Sequence, residues 1–222
     1  MSDADTHDAR PTEFTRDAAA PSPGATETAT FGLGCFWGPD ARFGAMEGVV
    51  RTRVGYAGGS TPAPTYHSLG DHTEVVQVEY DPTVLSYADL LDVFWSAHDP
   101  RRNARKRQYR SVILTGSAVH RQVAERARQD VASRLGGSVA TEVEDLDAFH
   151  RAEPYHQKYE LRSTPVVGAE VEDRCGDDLV DSTVAARLNG FVAGHGDDDR
   201  CRSLLADLAL PPAAVDEVRR RR

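Results

Sequence analysis

The sequence contains no uninterrupted apolar run of about 18 residues or more, the length that a membrane-spanning helix requires. Lysine occurs only at Lys106 and Lys158, so arginine supplies nearly all of the positive charge, and the formal net charge is -9. A surface this acidic disfavours nucleic acids and anionic membranes as partners. With the Asp-rich runs, it is also typical of a halophile-like host or one with GC-rich DNA.

Cysteine is scarce as well. Cys35, Cys175 and Cys201 are too few and too far apart for a disulfide scaffold or a CxxC zinc site, so we expect no metal. This usage predicts a reducing compartment and reactive thiols.

The first 28 residues lack the basic and apolar parts of a secretory signal, and residues 1–26 are too polar to bury a core. We therefore expect a disordered acidic tail over 1–26 and a cytoplasmic, monomeric protein.

The remaining sequence alternates between strand and helix patterns. Two predicted strands, near 51–57 and 74–80, follow each other without a helix between them, which favours an α+β fold over a purely parallel sheet. A long helix is predicted from Ser117 toward Leu135, and a single last helix near 202–222. We expect a catalytic domain over 27–161 and a C-terminal helical extension over 162–222 that wraps the core.

The string "GCFWG" at residues 34–38 follows a strand pattern and precedes a helix pattern, so it predicts a strand, a glycine turn and a helix. A thiol at such a helix start lies near the positive end of the dipole, which stabilises the thiolate. Gly34 leaves the sulfur of Cys35 open, and Phe36 and Trp37 can form the wall of an apolar pocket. The alternative is that Cys35 is simply a small buried hydrophobe.

Several polar residues can accompany this thiol. Glu74 opens a strand after a Pro- and Gly-rich loop, and partial burial would raise its pKa and make it a proton donor. Tyr66 and Tyr109 lie in predicted loops and can hydrogen bond to a polar substrate oxygen. His72 is an alternative partner, as the base of a Cys-His pair, although it has no obvious Asn or Asp beside it. The basic run at 101–110 is predicted to be mainly a solvated loop.

Six motifs occur along the chain in a fixed order. They are "GCFWG" (34–38), "GYAGGSTPAPTY" (55–66), "GDHTEVVQVEYDP" (70–82), "FWSAHDP" (94–100), "QYRS" (108–111) and "AEPYHQKY" (152–159). In these motifs and their order, about residues 27–161 resemble the peptide-methionine (S)-S-oxide reductases, the A-type methionine sulfoxide reductases. The resemblance implies an α+β fold, for which we expect a ferredoxin-like two-layer sandwich with a mixed sheet.

The resemblance also implies a reaction. Cys35 matches the cysteine that attacks the sulfoxide sulfur, releases methionine and becomes a sulfenic acid. Phe36 and Trp37 match the aromatic wall that holds the methyl group of the substrate. The family is specific for the S epimer and repairs oxidised methionine, free or in proteins, with no metal or bound organic cofactor.

For the oxygen of the sulfoxide, the resemblance implies three partners. Glu74 matches the acid that protonates it, while Tyr66 and Tyr109 match the phenols that hydrogen bond to it. One departure concerns an Asp that many members carry before the "QYRS" motif. Here Ala104 stands at about that place in a shorter loop, so a carboxylate of the usual oxygen site is missing.

The second half of the reaction is less determined. The family often places resolving cysteines in its C-terminal tail, and Cys175 and Cys201 lie in polar segments that are predicted to be exposed. Either one can resolve the sulfenic acid before a thioredoxin-like donor reduces the disulfide, or an external small thiol does so directly. Acidic neighbours are expected to raise the pKa of both thiols. Two other functions stay open: a thiol redox sensor or sulfoxide-binding module with weak turnover, and a cysteine hydrolase that uses His72.

Overall fold

The computed structural model describes residues 25–102 and 104–222, so the predicted tail over 1–26 lies almost entirely outside the described residues. Within them, six strands form one sheet in the order β5-β4-β1-β3-β2-β6. β4 and β5 are parallel and the other neighbours are antiparallel, which makes the sheet mixed as predicted. The strands are β1 (Glu27–Leu33), β2 (Val49–Ala57), β3 (Thr73–Tyr80), β4 (Ser111–Thr115), β5 (Glu142–Asp145) and β6 (Phe149–Arg151).

The helices begin and end largely where the sequence provides caps. The Ser86 hydroxyl accepts a hydrogen bond from the Asp89 amide in a capping box, and Ser117 caps the long predicted helix, which ends at Gly136 in the left-handed conformation. The helices are α1 (Trp37–Gly44), α2 (Tyr87–Ser96), α3 (Ala118–Leu135), α4 (Tyr159–Arg162), α5 (Val167–Cys175), α6 (Thr183–Val192), α7 (Asp198–Asp207) and α8 (Pro212–Arg221). Three-residue 3-10 helices lie at Arg107–Tyr109 and Pro154–His156, and a longer one at Gly176–Asp181.

Two large apolar cores, beside two smaller clusters in the described residues, hold these elements together. One lies between the sheet and helices α2 and α3, where the ring of Phe31 stacks on those of Phe43 and Phe94. The other is formed by α5 to α8. Helices α1 and α6 connect the two large cores. The two helices pack at very short range, since a Cβ at Gly44 or Gly190 would overlap the backbone of the opposite helix.

The predicted single helix near 202–222 is wrong. Two helices, α7 and α8, occupy this segment, and the chain turns between them at Ala209, whose φ is 46°. Pro211 and Pro212 follow, and proline starts a helix but cannot continue one. Strand β6 and helix α5 were not anticipated from the sequence, since β6 has only three residues. In the described part of the chain, no helix is both long enough and apolar enough to cross a membrane.

Candidate active site

Cys35 lies in the turn that leads from β1 into α1, as the sequence predicts. Gly34 has a φ of 99°, a left-handed conformation that favours glycine, while a Cβ there would meet no atom within 4 Å. The chain then enters α1, with Phe36 as its N-cap. Cys35 is exposed and not disulfide-bonded, and Phe36 is buried. The turn therefore presents the thiol at the surface beside an apolar cluster.

The pKa of Cys35 differs from the expectation. Burial of the sulfur among its neighbours raises this pKa above its usual value, and the charges of Glu74 and Glu160 raise it further. The Trp37 amide hydrogen bonds to the sulfur and opposes the shift without reversing it. This direction is opposite to the predicted stabilisation of the thiolate, because burial and the two acidic side chains together exceed the effect of the Trp37 amide. At neutral pH the resting residue is a thiol.

Glu74 lies on β3 beside this thiol and is 1% exposed. Its Oε1 accepts a hydrogen bond of 2.7 Å from the Gln108 side chain, and its Oε2 accepts one of 3.2 Å from the Phe36 amide. Burial raises the pKa of Glu74, while these two hydrogen bonds lower it by a smaller amount. The side chain is thus a fixed, buried carboxyl with a raised pKa, as expected for a proton donor.

The two predicted phenols meet at the same place. Tyr109 ends the 3-10 helix Arg107–Tyr109, and its hydroxyl hydrogen bonds to that of Tyr66. Burial, followed by the charge of Glu74, raises the pKa of Tyr109 to about 12. Cys35 contributes to the same shift, so the thiol, the carboxyl and the phenols lie within electrostatic reach of one another. Tyr109 therefore remains protonated at neutral pH and able to donate a hydrogen bond.

Trp37 is held by two residues that the sequence did not single out. Its indole lies parallel to the ring of Tyr159, with ring centres 3.6 Å apart, and its Nε1 donates to Nδ1 of His156 at 3.3 Å. The His156 ring also packs against Phe36 and Tyr66. Burial lowers the pKa of His156, which favours the neutral ring that can accept from the indole. His156 and Tyr159 both lie in the "AEPYHQKY" motif, and this motif is the sequence signal that could have identified them as site residues.

A carboxylate stands next to the phenols despite the alanine at position 104. Glu153 accepts a hydrogen bond of 2.7 Å from the Tyr56 hydroxyl and one of 3.0 Å from the Tyr66 amide. Burial is the largest single influence and raises its pKa, but these hydrogen bonds, a further backbone hydrogen bond and the charge of His156 together lower the pKa, so the carboxylate stays ionised. Ala104 is exposed and brings no polar group. Glu153 thus fixes the backbone of Tyr66, and sequence reasoning missed it.

His72 is not positioned as the partner of the thiol. It is buried, its Nε2 contacts the Thr61 carbonyl oxygen at 2.8 Å, and its ring packs edge-on against His150. None of these contacts involves Cys35. The geometry does not support a Cys-His nucleophile pair.

The basic loop is solvated only in part. Arg110 is buried, and its guanidinium pairs with Glu144 and Glu142 and donates to the Thr73 hydroxyl. It links β4, β5 and β3, so the last residue of the run has a structural role. Arg101 and Arg102 are exposed, as predicted.

The predicted exposure of the other two cysteines is wrong. Cys175 is 5% exposed and Cys201 is 2% exposed, and both lie in the core that α5 to α8 form. Val171 and Leu205 lie four residues away from them, which places both thiols on the apolar face of an amphipathic helix. Their pKa values are raised as expected, but burial is the largest cause and acidic neighbours contribute less. In the described residues, no group of three or more His, Cys, Asp and Glu side chains could hold a metal ion.

Comparison with known proteins places this geometry in context. The model of the peptide methionine sulfoxide reductase family matches residues 27–185. Peptide methionine sulfoxide reductase A5 of Oryza sativa subsp. japonica is 44% identical over 184 residues, 80% of this chain and 72% of that protein. A peptide methionine sulfoxide reductase of Drosophila melanogaster is 42% identical over 187 residues, 83% of this chain and 76% of that protein. The solved structure of methionine sulfoxide reductase A of Corynebacterium diphtheriae matches with a TM-score of 0.56 and 35% identity, over 64% of this chain and 77% of that one.

Proposed function

The chain belongs to the peptide methionine sulfoxide reductase family, and we propose that Cys35 is the nucleophile with which it reduces methionine sulfoxide to methionine. One observation carries this assignment. An exposed thiol, a buried carboxyl with a raised pKa and two hydrogen-bonded phenols converge at the start of α1. A thiol that attacks sulfur and a donor that protonates oxygen are the two groups that this reduction requires.

Glu74 is the acid of this step. Because its pKa is raised by burial, the carboxyl retains a proton at a pH where an exposed Glu has lost it. Glu74 gives this proton to the sulfoxide oxygen while the Cys35 sulfur attacks the sulfoxide sulfur, and the thiol proton passes to the carboxylate. The phenols of Tyr66 and Tyr109 hydrogen bond to the same oxygen and orient it.

The atoms and electrons balance within this pair of reactants. Attack forms a bond between the Cys35 sulfur and the substrate sulfur, and the sulfur–oxygen bond of the protonated sulfoxide breaks. The hydroxyl group is transferred to the Cys35 sulfur as the sulfur–sulfur bond breaks, which gives a Cys35 sulfenic acid and releases methionine. The substrate sulfur gains two electrons, which the sulfur of Cys35 loses. Glu74 returns to its starting protonation state.

The aromatic side chains select the substrate by its methyl group. Trp37 is half-buried and backed by Phe36, so the two form an apolar wall beside the thiol. A sulfoxide sulfur carries an oxygen, a methyl group and the rest of the side chain. With the oxygen directed to Tyr109 and the methyl group to Trp37, only one epimer leaves the sulfur open to Cys35. The family resemblance implies that this epimer is S.

The sulfenic acid is reduced by a thiol from outside the chain. Cys35 is exposed, whereas Cys175 and Cys201 are buried in a different core. A thioredoxin-like protein or a small thiol forms a mixed disulfide with Cys35 and releases water, and a second thiol then restores the Cys35 thiol. This route needs no movement of α5 or α7.

The core of the sheet also supports a finer description of the fold. Elements β1 to β4 and the helices α1 and α2 follow one another as βαββαβ, with the strand order β4-β1-β3-β2. We propose that this is a ferredoxin-like core. It brings the C-terminal end of β1, with Cys35, next to the N-terminal end of β3, with Glu74.

A turnover experiment tests the assignment. The S and R epimers of N-acetyl-methionine sulfoxide are incubated with the full chain and excess dithiothreitol, and methionine product is counted per enzyme. We expect many turnovers of the S epimer and none for Cys35→Ser, with Cys201→Ala as the matched control that retains activity. A single turnover per enzyme would instead indicate a sensor or binding module, and activity of Cys35→Ser would refute the mechanism.

A further inference from the structure

A fully buried ion pair connects α1 to the segment before α4. The Lys158 Nζ lies 3.1 Å from Oδ1 of Asp40, and both side chains are 0% exposed. The Lys158 amide also donates to Oδ2 of Asp40 at 3.1 Å. Asp40 therefore binds Lys158 through both its side chain and its backbone, which fixes the position and the direction of this segment.

The ammonium group has all the partners that it can use. Its three N–H donors face three acceptors: Oδ1 of Asp40, the Thr52 carbonyl oxygen at 2.6 Å and the Thr52 hydroxyl at 3.1 Å. The Thr52 hydroxyl in turn donates to Asp40 at 2.5 Å, and the Asn189 amide contacts the same carboxylate at 3.3 Å. A compact ammonium fits this cage, whereas the planar fork of arginine does not. This explains a lysine here in a chain that otherwise uses arginine almost everywhere.

The backbone at Lys158 is unusual as well. Its φ is 53°, the left-handed region that residues other than glycine rarely adopt. Such a conformation persists when the surrounding contacts determine it, as the contacts of Asp40 do here. His156, two residues before this turn, and Tyr159, one residue after Lys158, both lie at the active site.

Those neighbours are the residues that hold Trp37. His156 accepts the hydrogen bond of the indole, and Tyr159 stacks on its ring. Trp37 and Asp40 are three residues apart on α1 and therefore lie on one side of the helix. The ion pair thus sets the distance between the helix that carries the indole and the segment that clamps it.

We propose that Asp40 and Lys158 are positioning residues for substrate recognition, which hold the indole of Trp37 between His156 and Tyr159 so that it can bind the methyl group of the sulfoxide. This inference rests on the proposed function of Trp37. An ion pair suits this task because it is directional, and buried polar pairs specify one arrangement of the groups around them. Neither residue touches the thiol, the acid or the phenols.

The test is a cycle of variants in the full chain. Asp40→Asn combined with Lys158→Met removes both charges and keeps similar volumes, and we call this double variant the neutral pair. Trp37→Leu removes the clamped ring. Single-turnover reduction of the S sulfoxide gives the limiting rate and the sulfoxide concentration at half that rate. We expect the neutral pair to raise this concentration about tenfold, with the limiting rate changed by less than about twofold, and to have no further effect in Trp37→Leu enzyme.

A spectroscopic signature accompanies the cycle. In Trp95→Phe enzyme, Trp37 is the remaining tryptophan, so its emission reports the ring directly. We expect the neutral pair to change this emission, because the ring loses its fixed contacts with Tyr159 and His156. The matched control is Arg53→Met with Asp181→Asn, which breaks an ion pair of 2.6 Å between β2 and the 3-10 helix at 176–181. It should change neither the emission nor the half-saturating concentration.

Each outcome decides the inference. An equal loss of affinity with and without Trp37, or an unchanged affinity in a folded neutral pair, would overturn it while leaving the role of Trp37 intact. Unchanged affinity in Trp37→Leu alone would overturn the proposed methyl wall, and the role of the pair with it. If the neutral pair does not fold, Thr52→Val is used in its place. This substitution removes the hydroxyl that bonds to both Asp40 and Lys158, and valine has the same shape as threonine. That variant should raise the half-saturating concentration about threefold, only when Trp37 is present.

Discussion

Gln108 is the side chain through which the acidity of the site can be changed without touching substrate. Its amide donates to Oε1 of Glu74 at 2.7 Å, and this hydrogen bond lowers the pKa of Glu74 against the larger effect of burial. Gln108→Met keeps a similar volume and removes the donor. The ionised carboxylate then loses a partner, so the protonated form is favoured and the pKa of Glu74 rises.

The magnitude follows from the strength of the contact. A hydrogen bond to a charged group contributes about 1.5 to 3 kcal/mol, and one pH unit corresponds to about 1.4 kcal/mol. We therefore expect the pKa of Glu74 to rise by about one to two units. The reaction needs the Cys35 thiol together with protonated Glu74, so the rate falls with rising pH as Glu74 ionises.

The assay is the single-turnover rate constant at limiting sulfoxide, measured from acid to alkaline pH with reduced enzyme and no reductant. In Gln108→Met the fall of the rate with rising pH should move to higher pH by about one to two units. Arg105→Met is the matched control, because Arg105 is exposed in the same loop and does not contribute to the pKa of Glu74. A fall of the rate at the same pH in Gln108→Met as in the unchanged enzyme would refute the role of Glu74 as the acid that sets the rate.

Three further predictions follow from the same contacts. Tyr109→Phe removes a donor to the sulfoxide oxygen and should lower the single-turnover rate about 10²- to 10³-fold, and a loss below tenfold would remove this phenol from the oxygen site. Cys175→Ala combined with Cys201→Ala should leave turnover with dithiothreitol unchanged, as product counting will show, and should destabilise the fold by about 1 to 3 kcal/mol in denaturant unfolding because both thiols are buried. Lys158→Met alone leaves the buried charge of Asp40 unpaired and should cost about 3 to 5 kcal/mol of unfolding free energy, a cost that adding Asp40→Asn should largely remove.

Local sequence patterns predicted the site where one motif holds all the information. The glycine turn at Cys35 needs only a strand former, a residue that adopts a positive φ and a helix pattern, all within ten residues. For Glu74, the local pattern predicted a strand start after a loop, and the family resemblance implied its role as the acid. In both cases neighbours in the chain determine where the residue lies.

The parts that were missed depend on contacts between distant segments. Glu153 reaches Tyr66 across 87 positions, and Lys158 reaches Asp40 across 118. A charged residue in a motif has the same local pattern whether it is solvated or buried, so its partner cannot be read from spacing. The raised pKa of Cys35 is a further example, since burial and the charges of the distant Glu74 and Glu160 exceed the effect of the adjacent Trp37 amide.

The misplaced cysteines have the same origin. Cys175 and Cys201 are flanked by Asp and Arg, which indicates an exposed segment when the sequence is read linearly. In a helix the charged neighbours point elsewhere, and every third or fourth residue returns to the apolar face. The core of α5 to α8 covers that face, so the thiols are buried while the residues beside them are solvated.

The chemical state of the cysteines after one turnover tests the central claim most directly. Reduced enzyme is mixed with the S sulfoxide without reductant, a sulfenic-acid trap is added, and each cysteine is assigned by peptide mass. The account predicts one trapped sulfenic acid on Cys35 and one methionine per enzyme, with Cys175 and Cys201 still thiols. Methionine release with Cys35 unmodified, or a disulfide between Cys35 and either buried cysteine, would contradict it.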